Sequence, residues 1–84
     1  MKMNKEILIK NIDKIHTTKI GVDRIKKNLK LENINIVEYC KNKILDKNCN
    51  LFKKGKNWYC EVGNIIITIN YSSYTIITAH RLKD

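Results

Sequence analysis

Apolar and polar residues alternate with a period of two over the second half of the chain, which is the pattern of β-strands with one buried face. Every second residue in the segment 58–62 is apolar, and the dipeptide Gly63-Asn64 follows it. Glycine supplies the positive φ that a type II′ hairpin turn needs at its first position. The pattern therefore predicts a hairpin whose paired residues share one apolar face: Trp58 with Ile69, Cys60 with Ile67, and Val62 with Ile65.

One further strand is predicted on each side of this hairpin, a short one over 50–53 and a last one over 74–80. The register of the last strand stays open, because a slip of one residue turns every side chain to the other face. A two-residue loop at Ser72-Ser73 adds four side chains to the apolar face: Tyr74, Ile76, Thr78 and His80. A three-residue loop instead adds Ile77 and Ala79, and turns Thr78 and His80 to the other side.

The first half of the chain shows apolar residues at spacings of three and four, which is typical of amphipathic helices. Helices are predicted over 3–15, over 19–30 and from about 36 to 46. Thr17-Thr18 and Asn35 have side-chain oxygens suited to capping the second and third helices. The predicted apolar stripes comprise Leu8, Ile12, Ile15, Val22, Ile25, Leu29, Val37, Cys40 and Ile44.

The length of 84 residues leaves room for one domain, with helices over about 3–46 and a sheet over about 49–81. We predict an α+β fold in which two or three N-terminal helices pack on one face of a three- or four-stranded antiparallel β-meander. Seventeen Lys and Arg against eight Asp and Glu give a formal charge of +9. Such a charge favours a polyanionic partner, which is a nucleic acid, an anionic membrane or an acidic protein, and the alternative is that it serves solubility alone.

The chain shows neither a secretory signal nor an apolar run near the roughly 20 residues that span a bilayer. We therefore expect a soluble cytoplasmic protein that does not associate with membranes. The three cysteines, at positions 40, 49 and 60, lack CxxC spacing and predict neither a zinc site nor a disulfide framework. We expect thiols in a reducing cytosol, and no metal or cofactor.

The chain contains only two histidines, His16 and His80. Two imidazoles can act as general base and general acid near neutral pH, as RNA cleavage through the 2′-hydroxyl requires. Thr78 can add a hydrogen bond, so the candidate catalytic residues are His16, His80 and Thr78. The alternative is a capping or surface role for each histidine, since residues 64 positions apart form no motif.

The basic turn Lys54-Gly55-Lys56 is one candidate for contact with nucleic acid. The alternative is that this turn is a solvated hairpin tip. Tyr59 can stack on a base, and Arg81 can hold a phosphate with two hydrogen bonds. The candidate binding residues are Lys54, Lys56, Tyr59, Arg81, Arg24 and Lys27.

Three segments resemble a small bacterial family catalogued only as a domain of unknown function: HTTKIGVDRIKKNL (16–29), KGKNWYCEV (54–62) and SYTIITAH (73–80). The similarity spans nearly the whole chain and implies no established activity. The order of helices before an antiparallel sheet also resembles the barnase–EndoU–colicin–RelE group of small ribonucleases. Residue by residue, that likeness extends to His16, Thr78 and His80, and the basic residues have no matched counterparts.

Three functional hypotheses follow. The first is a small RNA-directed protein, with RNA favoured over DNA, which as an enzyme would be a metal-independent, toxin-like endoribonuclease using histidine acid–base chemistry. The second is a DNA-binding module, with residues 19–46 as a helix-turn-helix and the hairpin at Gly63-Asn64 as a wing. The exposed side of its recognition helix has no arginine, the residue that makes the commonest specific base contact. The third is a non-catalytic interaction protein, either an inhibitor-like domain that docks on an acidic protein or a homodimer that pairs through a free sheet edge.

Overall fold

The chain folds as three helices followed by a four-stranded antiparallel sheet, in a computed structural model that describes residues 2–32 and 34–82. The helices are α1 (Lys2–Lys10), α2 (Lys19–Leu29) and α3 (Ile36–Leu45), with a 3₁₀ turn, Ile12–Lys14, after α1. The strands are β1 (Asn50–Lys54), β2 (Asn57–Val62), β3 (Ile65–Asn70) and β4 (Ile76–Arg81), and they pair in that order. This arrangement confirms the predicted α+β fold and its β-meander.

The caps of α2 and α3 are the predicted ones. Thr18 Oγ1 accepts a hydrogen bond from the backbone N–H of Gly21 at 3.0 Å, and Asn35 Oδ1 accepts one from Glu38 N–H at 3.0 Å. The predicted first helix over 3–15 is instead divided, because the side chain of Asn11 donates to the carbonyl of Ile7 at 2.8 Å. Such local bonds of asparagine compete with helix continuation.

One face of the sheet and the apolar stripes of the helices form the buried core, and we call this the core face of the sheet. The hairpin register is the predicted one, with Trp58 opposite Ile69, Cys60 opposite Ile67 and Val62 opposite Ile65. Trp58 is fully buried at the centre of this arrangement. The buried cluster comprises Leu8, Ile15, Ile25, Leu29, Ile36, Cys40, Ile44, Cys49, Trp58, Cys60, Val62, Ile65, Ile67, Ile69, Ile76 and Ala79.

A β-bulge resolves the open register of the last strand. Thr68 pairs with Thr78 and Ile69 pairs with Ile76, so that Ile77 is the extra residue. An extra residue lets both flanking segments keep their apolar side chains inward. Ile76 and Ala79 are therefore both buried, whereas each of the two simple loops placed only one of them on the core face.

The cysteines correct one expectation from the sequence. Cys49, just before β1, forms a disulfide with Cys60 of β2, and their Cα atoms are 6.2 Å apart. The pairing was missed because the spacing of 11 residues matches no short motif, and the strand register alone brings the two residues together. Cys40 of α3 is a free, buried cysteine.

Candidate nucleic-acid interface

The face of the sheet opposite the core, which we call the outer face, carries the polar and aromatic side chains of the strands. Side chains alternate between the two faces along β2 and β3, and Thr68 is an outer-face residue that is nevertheless buried. Together with the strand pairings, alternation assigns to this face Phe52, Lys54, Asn57, Tyr59, Glu61, Ile66, Thr68, Asn70, Thr78 and His80.

The outer face contains an open groove of about 530 Å³, which we call the aromatic groove. Its lining residues are Phe52, Lys54, Gly55, Lys56, Asn57 and Tyr59. Phe52 lies directly opposite Tyr59 in the β1–β2 ladder, and their rings stack with centroids 5.6 Å apart and planes 23° apart. The stacked pair therefore lines the groove, and 37% of the Phe52 surface is exposed to solvent.

The turn between β1 and β2 gives the groove its charge. Gly55 has a φ of 63°, which allows a two-residue turn that leaves Lys54 and Lys56 at the rim. The backbone N–H of Tyr71 donates to the carbonyl of Lys56 at 2.8 Å, which ties this turn to the end of β3. Two lysines therefore line the groove with the aromatic pair, on a turn anchored to the sheet.

A row of polar residues runs from the groove across the same end of the sheet. Lys54 pairs with Asn57, and Asn57 pairs with Asn70. The N–H of Asn70 donates to the carbonyl of Thr75 at 2.8 Å, and Thr75 forms a β-bridge with His16. We call these five residues the turn-end row; their side chains lie on the outer face because Trp58, Ile69 and Ile76 beside them are buried.

His16 is held in a defined orientation at the far end of this row. Its Nδ1 lies 2.8 Å from the carbonyl of Lys14, and its Nε2 lies 3.1 Å from Thr75 Oγ1. A carbonyl only accepts hydrogen bonds, so Nδ1 carries a proton and Nε2 of the neutral ring is an acceptor. Thr75 Oγ1 also lies 2.8 Å from Ser73 Oγ, which extends the hydrogen-bonded chain to the β3–β4 turn.

The backbone next to this cluster is in an uncommon conformation. Tyr74 has a φ of 61°, a left-handed value that is unfavourable for a bulky side chain. Its carbonyl accepts from His16 N–H at 3.2 Å, and its ring packs on Trp58 with centroids 5.4 Å apart. These contacts compensate for the unfavourable φ, and they hold Thr75 beside His16.

The structure does not bring the two histidines together. His80 pairs with Ile66 in β4, five residues beyond Thr75, which is a separation along the strand of about 16 Å. Thr78 lies between these positions on the outer face and accepts a hydrogen bond from Asn28 Nδ2 of α2 at 3.5 Å. His16 and His80 therefore do not share one site.

The predicted binding residues separate into two groups. Lys54, Lys56 and Tyr59 meet in the aromatic groove. Arg81 lies at the opposite end of β4, on the other edge of the sheet, where its Nη2 donates to the carbonyl of Leu29 at 3.1 Å. Arg24 and Lys27 are exposed on α2, which packs beside β4 and not beside the groove.

Two groove residues, Phe52 and Asn57, were missed from the sequence. A signal for both was present: a two-residue turn at Gly55-Lys56 pairs Phe52 with Tyr59 and Lys54 with Asn57. In the part of the chain that the structure describes, no group of three or more His, Cys, Asp or Glu is arranged to hold a metal ion. No helix in the described segments is long and apolar enough to cross a membrane.

Comparison with protein families gives one match, to the family described as "Protein of unknown function (DUF3781)", over residues 9–80. The match includes both the groove and the turn-end row. No curated protein and no solved structure matches the chain significantly.

Proposed function

This chain belongs to the DUF3781 family, and we propose that it is an RNA-directed protein that holds single-stranded RNA in the aromatic groove. The stacked pair of Phe52 and Tyr59 carries the proposal. Proteins that bind single strands combine aromatic side chains, on which bases stack, with a positively charged groove that follows the phosphates. Lys54 and Lys56 supply that charge beside the rings.

The charge of the whole chain supports the same proposal. A formal charge of +9 on 84 residues attracts a polyanion and accelerates its association. The lysines and the aromatic rings each favour a different part of one nucleotide, the phosphate and the base.

Fluorescence anisotropy with a labelled single-stranded RNA of about eight nucleotides tests the proposal. Tyr59→Ala should weaken binding by about 1–3 kcal/mol, the usual value for one base–aromatic stack. Lys56→Gln should weaken binding and reduce its dependence on salt, because each phosphate contact releases a counterion. The matched control is Lys47→Gln, which removes the same charge from an exposed turn before β1. Equal losses in Lys56→Gln and Lys47→Gln would show that only net charge matters.

Cleavage of the bound RNA is a second candidate function, and the orientation of His16 favours it. When a ribose 2′-hydroxyl displaces the Thr75 hydroxyl from Nε2, the neutral His16 ring can take its proton, so that the O2′–P bond forms and the P–O5′ bond breaks. Solvent water protonates the departing 5′-oxygen, and the imidazolium returns its proton to the resulting hydroxide. This scheme uses His16 and not His80, which lies at the other end of β4.

Incubation of purified protein with cellular RNA tests this second candidate. The expected products end in 2′,3′-cyclic phosphate, and they should disappear in His16→Ala but persist in His80→Ala. Binding without cleavage by the wild type restricts the function to recognition. Cleavage that survives in His16→Ala contradicts the assignment of the base.

Duplex DNA binding through α2 and α3 has weaker support. The carboxylate of Glu38 in α3 lies 3.8 Å from the ammonium of Lys41, one turn along the same helix. An acidic group and a partly neutralised lysine reduce the attraction of that surface for phosphates. A duplex of matched length in the anisotropy experiment measures this alternative directly.

A further inference from the structure

The turn-end row raises the question of how far the bound strand extends beyond the groove. Its five residues are Lys54, Asn57, Asn70, Thr75 and His16, one from each neighbouring segment of the sheet end. Four spacings of about 4.8 Å between neighbouring strands give the row a length of about 19 Å. Because the row begins inside the aromatic groove, a ligand that leaves the groove in this direction meets each of these side chains in turn.

The chemistry of the row suits a nucleic acid strand. It contains one ammonium group, two amides, one hydroxyl and one imidazole, and none of its own side chains is a carboxylate. The outer-face carboxylate of Glu61 lies towards the opposite end of β2, where Asn50 Nδ2 donates to it at 3.5 Å. A polyanion that follows the row therefore keeps away from this negative charge.

The far end of the row presents a hydrogen-bond acceptor in a fixed position. The carbonyl of Lys14 holds the His16 ring so that Nε2 accepts from the Thr75 hydroxyl at 3.1 Å, and Thr75 Oγ1 keeps lone pairs that can accept from a ligand. A ribose 2′-hydroxyl is a hydrogen-bond donor that deoxyribose lacks, and such contacts are how proteins distinguish RNA from DNA. His16 and Thr75 are both accessible, His16 being exposed and Thr75 half-buried.

We propose that single-stranded RNA lies across the strands along the turn-end row, with a base on Phe52 and Tyr59 and a ribose 2′-hydroxyl that donates to Thr75 Oγ1, which His16 holds in place. This inference rests on the proposed function and adds two properties to it. The groove alone holds a dinucleotide, whereas contact with Thr75 and His16 needs a longer strand. Thr75 and His16 discriminate RNA from DNA, and the groove does not.

Binding of four labelled single strands tests the inference: a dinucleotide and an octanucleotide of RNA, the matching octamer of DNA, and the octamer of 2′-O-methyl RNA. The RNA octamer should bind about tenfold more tightly than the DNA and 2′-O-methyl octamers, which lack the hydroxyl proton. Thr75→Val should weaken binding of the RNA octamer about three- to tenfold, the effect of one or two hydrogen bonds, and leave binding of the dinucleotide unchanged. Tyr59→Ala should weaken the binding of all four ligands.

The modified RNA makes the test independent of folding, since it changes the ligand and leaves the protein intact. His16→Gln is the second variant, and a methyl-region NMR spectrum like that of the wild type identifies variants that fold. The inference is overturned if the protein binds all three octamers with equal affinity. It is also overturned if Thr75→Val loses as much affinity for the dinucleotide as for the octamer. Either result leaves the groove proposal standing. Failure of every strand to bind overturns both.

Discussion

The two faces of the sheet are specified by different features of the chain. On the core face, apolar side chains such as Trp58 and Ile67 are selected by burial, so their period of two is visible in the sequence. On the outer face, Phe52 becomes a neighbour of Tyr59, and Thr75 a neighbour of His16, only through strand pairing. Stability therefore resides on one face, and the proposed chemistry resides on the other.

The core face holds the outer face in place, because successive residues of each strand lie on opposite faces of the sheet. Tyr59 of the groove lies between Trp58 and Cys60, both fully buried. The indole N–H of Trp58 is buried without a hydrogen-bond partner among the described residues, so this side chain is held by packing alone. Substitutions on the core face should act on stability, and substitutions on the outer face should act on binding.

Trp58→Ala should have the largest effect. Removing this fully buried side chain loses apolar burial and leaves a cavity beneath Tyr71 and Tyr74, at a cost of about 3–5 kcal/mol. A domain of this size has little stability to lose, so the variant should be largely unfolded. Urea unfolding followed by circular dichroism measures the loss. Tyr59→Ala, one residue away on the outer face, is the control and should keep most of the wild-type stability.

Reduction of the Cys49–Cys60 disulfide should have the next largest effect. The crosslink closes a loop with a sequence separation of 11, and loops of this size stabilise by about 3 kcal/mol in the chain-entropy account. Urea unfolding with and without a reductant measures the loss of stability. In Cys49→Ser the reductant should not change the free energy of unfolding. Since all six groove residues lie within this loop, the disulfide also ties the outer face to the core. Three alkylatable thiols in the unreduced protein would contradict the crosslink.

Cys40 should make the core face sensitive to alkaline pH. Burial raises the pKa of this thiol from its ordinary value of 9.0 to about 12. Because the pKa is higher in the folded state, its stabilising effect is complete below pH 9 and is lost as pH rises towards 12. At pH 10 the loss should be roughly 1 kcal/mol relative to pH 7. Cys40→Ala has no thiol to ionise, so its free energy of unfolding should fall less between pH 7 and pH 10. An unchanged dependence on pH in this variant contradicts the role of Cys40.

Two glycines provide a matched pair of smaller effects. Gly55 and Gly63 have φ values of 63° and 59°, and an added Cβ meets no atom within 4 Å at either position. Alanine should therefore destabilise both turns equally, by about 1 kcal/mol, through backbone conformation alone. Only Gly55→Ala should also weaken RNA binding, because Gly55 lies in the groove. Thermal unfolding and anisotropy on both variants separate the two effects, and equal binding losses would contradict the location of the site.

The sequence predicted the fold closely because its signals were local. Side-chain alternation and Gly63-Asn64 predicted the hairpin register, and Thr18 and Asn35 predicted two helix starts. The bulge at Ile77 was not predictable, since both simple registers were compatible with the apolar pattern. The disulfide was missed because it depends on the pairing of β1 with β2.

The candidate site was predicted only in part. The lysines and Tyr59 stand within six residues of one another, so a single turn sufficed to identify them. His16 and Thr75 are 59 positions apart and meet through a bridge between the loop before α2 and the start of β4. A pattern of apolar residues cannot predict such a contact. From the sequence, His80 therefore had the same weight as His16, although His80 lies at the other end of β4.

Binding of single-stranded RNA by wild type and Tyr59→Ala, at matched folding stability, is the decisive test of the proposed site. The wild type should bind an RNA octamer, and Tyr59→Ala should bind it about 1–3 kcal/mol more weakly while remaining folded. Affinities that are equal in the two proteins, in samples with matching circular dichroism spectra, would contradict the placement of the binding site on the outer face.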